Sequence, residues 1–367
     1  MRKERFFSCV SIAAVWFTFA FGGGVATGAQ AYSLYAMHGW TAVWMPIISI
    51  FIVASIGWLC VEYSRILKAK HYKDFMERLY GNRWVPAIYE IGCIYGTLIG
   101  MAAVLAGAGS LSTSWGMGYW FGVCAMAVIC VFFCLFGASA VRNVSSVMGM
   151  LIIVLILAVF VCAISNRTEI LNGIVTSREV YTSYTSAWYS CIYYGASSCG
   201  TMLAILPMMD TLKNRKDTST MIVIGFLMNV TVFLMLVLVI LAYMPEVSAS
   251  AVPFFFVIQQ LNKPWLNVAY SIIMLCALIT TGISLLYTYT VRFRPYVKVK
   301  SDKLSAVIIL SVFILAAAAL SELGLMTLVS KGYTLTVWIN IILLIIGVPV
   351  MILFKNKQKQ KMLKYLD

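Results

Sequence analysis

The chain has 367 residues, of which 62% are hydrophobic and only 11% charged, and its mean hydropathy is +0.92. This composition excludes an ordinary soluble domain, in which about a quarter of the residues are charged. The net charge of +14 could indicate a nucleic-acid-binding protein. The basic residues lie between long apolar segments, however, so we predict no nucleic-acid partner.

Apolar segments long enough to cross a bilayer follow one another along the chain. A spanning helix needs about 20 apolar residues, and about ten segments reach that length. They are residues 7–35, 40–66, 85–111, 118–137, 144–165, 185–210, 218–244, 264–290, 303–322 and 328–353. We therefore predict an all-α integral membrane protein with about ten transmembrane helices.

The basic residues predict the orientation of these helices. Most of the 27 Lys and Arg lie in the N-terminal residues, in alternate gaps between segments and in the basic tail at 354–367. Cytoplasmic loops of membrane proteins carry such an excess. We expect a multi-pass protein of the cell (inner) membrane with both termini in the cytoplasm. The basic tail is expected to face the anionic headgroups of the lipid bilayer.

The first segment contains a glycine cluster at its centre. Three consecutive glycines, Gly22, Gly23 and Gly24, are followed by Gly28. Each glycine costs a helix about 1 kcal/mol relative to alanine, so the sequence predicts a helix break near 22–28. A break at membrane depth is tolerated only where it is buried in protein or lines a water-filled cavity. Such breaks are where secondary transporters bind substrates and ions.

The segments divide into two halves of similar layout, residues 1–167 and 168–353. The second half also opens with a glycine-containing segment, in which we predict a break near 194–200. A short extra segment follows the second helix of each half, at 71–80 and 252–260. Five helices per half give the halves opposite orientations, which predicts a 5+5 inverted repeat with a binding site at the two breaks. The alternative is ten unrelated helices with scattered glycines.

The N-terminus also resembles a secretory signal peptide. Arg2, Lys3 and Arg5 precede an apolar run that ends in the A-x-A sequence at 29–31. We favour a retained first helix, because the sixth segment is predicted to carry a matching break.

This layout, with helices 1 and 6 interrupted, resembles the LeuT fold of the amino acid–polyamine–organocation (APC) superfamily. Within it, residues 22–30, GGGVATGAQ, resemble the helix-1 signature of the YkvI-like bacterial membrane proteins, typically GAGFASGQE. Gln30 stands where that family usually has an acid, which leaves open any ion or proton role of this position.

The break in helix 1 predicts a substrate site made of backbone groups. Free N–H groups at a new helix N-terminus carry partial positive charge and bind anions. We expect the amides of Gly23, Gly24 and Val25, beside Gly22, to hold a substrate carboxylate. The alternative is that the glycines only let a neighbouring helix approach closely. Packing motifs space glycines four apart, which favours the binding interpretation.

Helix 6 carries aromatic residues before its predicted break. Aromatic faces can cage an ammonium group, or they can form a belt at the membrane interface. We predict that Trp188 and Tyr189, near the outer interface, belong to such a belt. The candidate substrate contacts nearer the break are Tyr193, Tyr194, Gly195 and Ser197.

Helix 3 provides two further predictions. Its glycines at 92, 96 and 100 form consecutive G-x-x-x-G units, which predict close contact with another helix. Glu90 lies about one turn inside the same helix, and we expect it to act as a cytoplasmic gate or to pair with Arg83.

The resemblance implies a sodium site. In sodium-coupled LeuT-fold transporters, two hydroxyl residues of helix 8 and three backbone carbonyls bind the ion. Carried over to this chain, the ligands are the hydroxyls of Thr280 and Thr281 and the carbonyls of Ala277, Thr18 and Phe21. The alternative is that each threonine bonds a carbonyl of its own helix. Proton-coupled relatives often place a lysine of helix 5 here, and segment 144–165 has no Lys or Arg.

These features predict a secondary active transporter, a sodium-coupled importer of an amino acid or related small zwitterion that works by alternating access. The alternatives are a proton-coupled transporter of a betaine or organic amine, and, from another class, a channel or a transport-inactive membrane sensor. We do not expect an enzyme, because the chain has two histidines and no cofactor motif. Sodium is the only ion expected, and no cofactor is predicted.

Overall fold

The computed structural model describes residues 3–135, 154, 156–165, 167–294, 297 and 302–364, and all regular structure within these ranges is helical. The helices of the first half are α1 Lys3–Ala20, α2 Gly23–Ala26, α3 Ala29–Leu34, a 3-10 helix Ala36–Val43, α4 Met45–Leu67, α5 Tyr72–Tyr80, α6 Trp84–Ser114, α7 Tyr119–Leu135 and α8 Ile156–Ser165.

The second half begins with α9 Thr168–Ser177. It continues with α10 Tyr184–Ala204, a 3-10 helix Leu206–Thr211, α11 Arg215–Ala242, a 3-10 helix Glu246–Ala249, α12 Pro253–Gln260, α13 Pro264–Phe293, α14 Asp302–Ser321, α15 Leu325–Thr327, a π-helix Leu328–Gly332, α16 Thr334–Asn340, a π-helix Ile341–Ile346 and α17 Gly347–Lys364.

Six stretches of the described residues are long and apolar enough to cross a membrane: Met45–Leu67, Trp84–Ser114, Arg215–Ala242, Pro264–Thr290, Leu304–Ser321 and Leu325–Lys355. A seventh is formed if α8 and α9, bent by 82°, are counted as one span. The chain is therefore a multi-pass membrane protein. The predicted fifth helix, 144–165, lies outside the described residues except at 154 and 156–165.

Helix 1 is interrupted where the glycine cluster predicts. The chain leaves the helix at Phe21 and Gly22, re-enters it for the single turn of α2, and turns again at Gly28. Gly28 has φ +78°, and a Cβ there would lie 2.9 Å from the backbone nitrogen of Phe254, so only glycine fits this turn. The N-terminal part of helix 1 belongs to the folded core, because α1 packs on α11 and Trp16 is buried between them.

The interruption of helix 6 lies further along the chain than predicted. α10 is continuous through 194–200 and ends at Ala204, where the 3-10 helix Leu206–Thr211 begins with a proline in its first turn. A Cβ at Gly195 would lie 3.2 Å from the Cβ of Ile52, which means that this glycine lets α10 approach α4. The glycine signal here therefore reports close packing, and the proline marks the end of the helix.

The predicted helix 3 is α6, and its glycine stripe packs as predicted. A Cβ at Gly92 would lie 3.1 Å from the side chain of Ile339, and one at Gly96 would lie 2.9 Å from the hydroxyl of Thr336. The Thr336 hydroxyl donates a hydrogen bond of 3.2 Å to the Gly92 carbonyl. The prediction of close helix contact is confirmed, and the partner is α16.

The long helices form two groups. The first two helices of each half, α1, α4, α10 and α11, pack on one another, and we call this group the bundle. The third and fourth helices of each half, α6, α7, α13 and α14, form the second group, which we call the scaffold. α16 contacts α10 of the bundle and α6 of the scaffold. Pairing equivalent helices of the two halves is the arrangement of a 5+5 inverted repeat.

Glu90 pairs with a different arginine from the one predicted. Its Oε1 lies 2.6 Å from Nε of Arg292, at the end of α13, and the Tyr72 hydroxyl of α5 donates to its other oxygen. Arg83 instead lies over the ring of Trp84, 5.7 Å from the centroid. Burial and the neighbouring carboxylate raise the pKa of the Tyr72 phenol, so it is the donor to Glu90.

Candidate functional site

The break in helix 1 leaves backbone groups without partners. The Gly22 carbonyl accepts hydrogen bonds of 3.0 Å from the amides of Val25 and Ala26, so the amide of Val25, predicted to bind a carboxylate, is already engaged. The amides of Gly22, Gly23 and Gly24 donate to no acceptor among the described residues. Three adjacent N–H groups inside the protein are therefore free to hold an anionic group.

α2 lies antiparallel to the middle of α13. A Cβ on Gly22 would lie 3.8 Å from Cγ2 of Thr281, and one on Gly23 would lie 2.8 Å from Cδ2 of Leu278. Gly23 therefore permits a close approach that any larger residue would prevent, whereas Gly22 leaves room for a methyl group. The structure thus brings the helix-1 break to the part of α13 that carries the predicted sodium ligands.

The two threonines of α13 both bond their own helix. The hydroxyls of Thr280 and Thr281 donate to the Ala277 carbonyl, at 3.1 Å and 2.8 Å. Bonding to a carbonyl of the same helix is the alternative that the sequence left open. These bonds use only the hydroxyl protons, so the oxygen lone pairs remain available to a cation. The carbonyls of Thr18 and Phe21 at the end of α1 accept no hydrogen bond from any described residue. Hydroxyl and carbonyl oxygens are the donor type that a hard cation requires.

The half of helix 1 after the break, which is its outer half in the predicted orientation, is covered in this conformation. Thr27 is fully buried, and its carbonyl accepts a hydrogen bond of 3.2 Å from the backbone nitrogen of Phe254 in α12. The Tyr270 hydroxyl of α13 donates a hydrogen bond of 2.6 Å to the Ala26 carbonyl. α12 and α13 together therefore close the helix-1 break on the side of α3.

The predicted aromatic contacts of helix 6 have two different environments. The Tyr193 hydroxyl accepts a hydrogen bond of 3.1 Å from the backbone nitrogen of Tyr333, which follows the first π-helix. The Tyr194 ring packs in the bundle against Tyr35 and Phe233, with centroids 5.8 Å and 4.9 Å away.

The other two predicted residues of helix 6 are engaged within the bundle. The Ser197 hydroxyl donates a 2.9 Å hydrogen bond to the Tyr194 carbonyl, and Gly195 faces Ile52 of α4. Tyr193 is therefore the member of this set that reaches the helix carrying the π segment.

Sequence reasoning missed the π-helix Leu328–Gly332, which reaches the candidate site. A Cβ on Gly24 would lie 2.9 Å from Cγ1 of Val329 and 3.1 Å from the side-chain carbon Cδ of Gln30. π-helical turns are rare and occur frequently at functional sites. Val329 and Gln30 thus lie directly beside the free amides, and apolar Val329 has no motif that could have singled it out.

A cavity of about 460 Å³ lies elsewhere, between the C-terminal end of α6, α12 and the first turns of α13. Its walls include Trp115, Phe255 and Ile272. None of the residues predicted to bind substrate or sodium is among its described lining residues.

The sequence matches no protein-family model and no curated protein. The structure resembles solved transporters. One is a Na⁺-coupled sialic acid symporter in its substrate-bound outward-open state, with a TM-score of 0.59 and 13% identity over 94% of this chain and 78% of that one. Another is MhsT in complex with L-phenylalanine, with a TM-score of 0.55 and 13% identity over 94% of this chain and 88% of that one.

A third similar structure is a single-residue mutant of the manganese transporter of Eremococcus coleocola. Its TM-score is 0.58, with 11% identity over 90% of this chain and 76% of that one. At such low identity the likeness concerns the fold and not the substrate. The three proteins are transporters rather than enzymes, and this chain has their LeuT fold.

Proposed function

We propose that this protein is a secondary active transporter that works by alternating access. The observation that carries the proposal is the break in helix 1, where three free amides lie beside Thr281 of α13. Broken helices with free backbone groups are how such transporters bind solutes and ions. The likeness to three transporters over at least 90% of the chain supports the same conclusion.

We further propose that the solute is an amino acid or related zwitterion and that sodium is the coupling ion. A carboxylate would accept from the amides of Gly22–Gly24, and sodium would bind between the hydroxyl of Thr281 and the free carbonyls at the end of α1. Those carbonyls carry the partial negative charge of a helix C-terminus, which favours a cation. The sialic acid and L-phenylalanine of the similar structures both carry a carboxylate, which supports this solute class.

The direction and orientation of transport belong to the same proposal. The distribution of Lys and Arg supports cytoplasmic termini, and we propose that the protein works as an importer in the cell membrane. α17 runs to Lys364, so the basic tail begins inside this helix, and we propose that it faces anionic headgroups. The residues 22–30 are the basis for proposing a YkvI-like member of the APC superfamily.

The test compares Thr281→Val with Thr288→Val. Both hydroxyls donate 2.8 Å hydrogen bonds to carbonyls of α13, but Thr288 lies about two turns further along the helix. An ion that binds only the folded protein stabilises it by about 2.7 kcal/mol at a hundredfold excess over Kd. Wild type and Thr288→Val should gain thermal stability and solute uptake in sodium relative to potassium. Thr281→Val should need about tenfold more sodium for the same gain.

Uptake in proteoliposomes decides the rest of the proposal. Saturable, sodium-driven uptake of an amino acid supports it. Uptake that ignores sodium but follows a pH gradient would contradict sodium coupling, flux without saturation would indicate a channel, and no flux for any amino acid, betaine or amine would indicate a sensor.

A further inference from the structure

Tyr270 makes the hydrogen bond that fixes the outer half of helix 1. Its side chain is buried, with 3% exposed, and its hydroxyl donates a 2.6 Å hydrogen bond to the Ala26 carbonyl at the end of α2. The ring is itself held by Phe254 and Phe255 of α12, with centroids 5.3 Å and 6.1 Å away. Because the ring is packed in this way, the hydroxyl has little freedom to reach another acceptor.

α12 holds the same point from a second direction. The backbone nitrogen of Phe254 donates to the Thr27 carbonyl, one residue beyond Ala26, and Gly28 turns directly against Phe254. Tyr270 and α12 thus form a clamp around residues 26–28, where α2 ends and α3 begins.

The clamp joins the two groups of helices. α13 belongs to the scaffold, whereas the parts of helix 1 on either side of α2, namely α1 and α3, pack on α11 of the bundle. The ion pair Arg5–Asp217 lies within the bundle, and Arg292–Glu90 lies within the scaffold. The buried hydrogen bond from Tyr270 to Ala26 is therefore a polar link across the boundary that must move in alternating access.

The clamp and the candidate ion site lie on one face of α13. Residues 7 and 11 positions apart recur within about 20° around an α-helix, so Tyr270, Ala277 and Thr281 all point towards helix 1. Tyr270 is about 16 Å from Thr281 along the helix axis. A change in how α13 meets the end of α1 is therefore carried by a rigid element to the outer half of helix 1.

We infer that Tyr270 is a positioning residue that fastens the outer half of helix 1 to the scaffold and keeps the external path to the solute site closed until this hydrogen bond breaks. The inference rests on the proposed transport function. Without the hydroxyl, the buried Ala26 carbonyl loses its partner in the closed state, whereas opening can expose that carbonyl to water. The loss of the hydroxyl therefore favours the outward-open state.

Tyr270→Phe tests the clamp, because it removes the hydroxyl and keeps the aromatic packing. Tyr289→Phe is the matched control on the same helix, where the Tyr289 ring stacks on Phe313 at 3.6 Å. Hydrogen–deuterium exchange should be about fivefold faster in residues 25–34 of Tyr270→Phe, the effect of one net hydrogen bond of about 1 kcal/mol. Exchange in α1 and α11 should be unchanged.

Transport kinetics provide the second readout. A population shifted to the outward-open state lowers the KM for external solute together with the maximal rate, because closure becomes slower. A purely structural defect would lower the maximal rate alone and would quicken exchange throughout the protein. Either of these results would overturn the inference. Exchange in Tyr270→Phe equal to that in Tyr289→Phe would also overturn it. The exchange measurement does not depend on transport. If the wild type transports nothing, the proposed function is rejected, but the exchange rates still test whether Tyr270 holds residues 25–34.

Discussion

His38 is a buried histidine in the 3-10 helix that follows helix 1. Only 1% of it is exposed, and its ring nitrogens lie 2.6 Å from the Thr182 hydroxyl and 3.0 Å from the Ser190 hydroxyl. Neither partner carries a charge, and burial lowers the pKa of His38 from its ordinary value of 6.5. The ring therefore joins the end of helix 1 to the start of α10 as a neutral group.

We predict that acid weakens this joint. Below a pH of about 6.5, His38 is protonated in the unfolded chain but stays neutral in the folded protein, because burial lowers its folded pKa. The stability of the fold therefore falls as the pH drops through about 6.5 towards the lower folded pKa. The thermal midpoint measured from pH 8 to pH 5 should fall more steeply for the wild type than for His38→Gln, whose amide keeps both hydrogen bonds and has no proton to gain. Equal slopes would show that other groups cause the acid effect.

At the scale of the element, α13 has a different polar contact along each third of its length. Tyr270 holds helix 1 near the N-terminal end, Thr281 faces the break in the middle, and Arg292 pairs with Glu90 near the C-terminal end. The last contact is largely withdrawn from solvent, because the side chains of Glu90 and Arg292 are 16% and 13% exposed. Arg292 also donates a 2.9 Å hydrogen bond to the Tyr72 hydroxyl, which ties α5 to the same point.

We predict that Glu90→Gln destabilises the protein by about 3 kcal/mol, because it leaves the buried guanidinium of Arg292 without its carboxylate. The double variant Glu90→Gln, Arg292→Gln should recover part of that loss, since neither buried charge then stays unpaired. Denaturation midpoints of the two single variants and the double variant complete the cycle. Additive losses would mean that the ion pair contributes no coupling energy.

At the scale of the whole molecule, the ion pairs Arg5–Asp217 and Arg292–Glu90 lie inside the bundle and the scaffold, and Lys73–Glu90 joins α5 to α6. Helix 1 and α16 contact both groups through side-chain packing and hydrogen bonds such as the one from Tyr270 to Ala26. Such an interface can shift between arrangements without separating charges. The two groups are therefore suited to move as units, which is the motion that alternating access requires.

This arrangement predicts which distances change during transport. Spin labels at Ile66 of α4 and Lys216 of α11 both report on the bundle, and both positions are exposed. Their separation should stay constant when sodium and solute are added. The separation between labels at Ile66 and Ile88 of α6, one in each group, should shift. Constant distances for both pairs, measured by pulsed electron paramagnetic resonance, would contradict motion of one group against the other.

The sequence by itself determined the membrane architecture and the break in helix 1. Lipid offers no hydrogen-bond partner to the backbone, so apolar segments of sufficient length can only be helices, and their hydropathy is readable locally. The glycines at 22–24 are equally local, because three in succession weaken a helix whatever surrounds them. The glycine stripe of helix 3 was readable because its spacing of four residues has one main use, close packing.

The tertiary structure decided what depends on a neighbour distant in sequence. An isolated glycine such as Gly195 can weaken a helix or admit a partner, and only the position of Ile52 shows that it does the latter. Glu90 pairs with Arg292 instead of nearby Arg83 because the C-terminal end of α13 packs against α6. Val329 and Tyr270 carry no motif, and their importance arises from what they contact. Local sequence preferences decide which segments form helices. Which residues contact one another depends on how helices distant in the chain pack together.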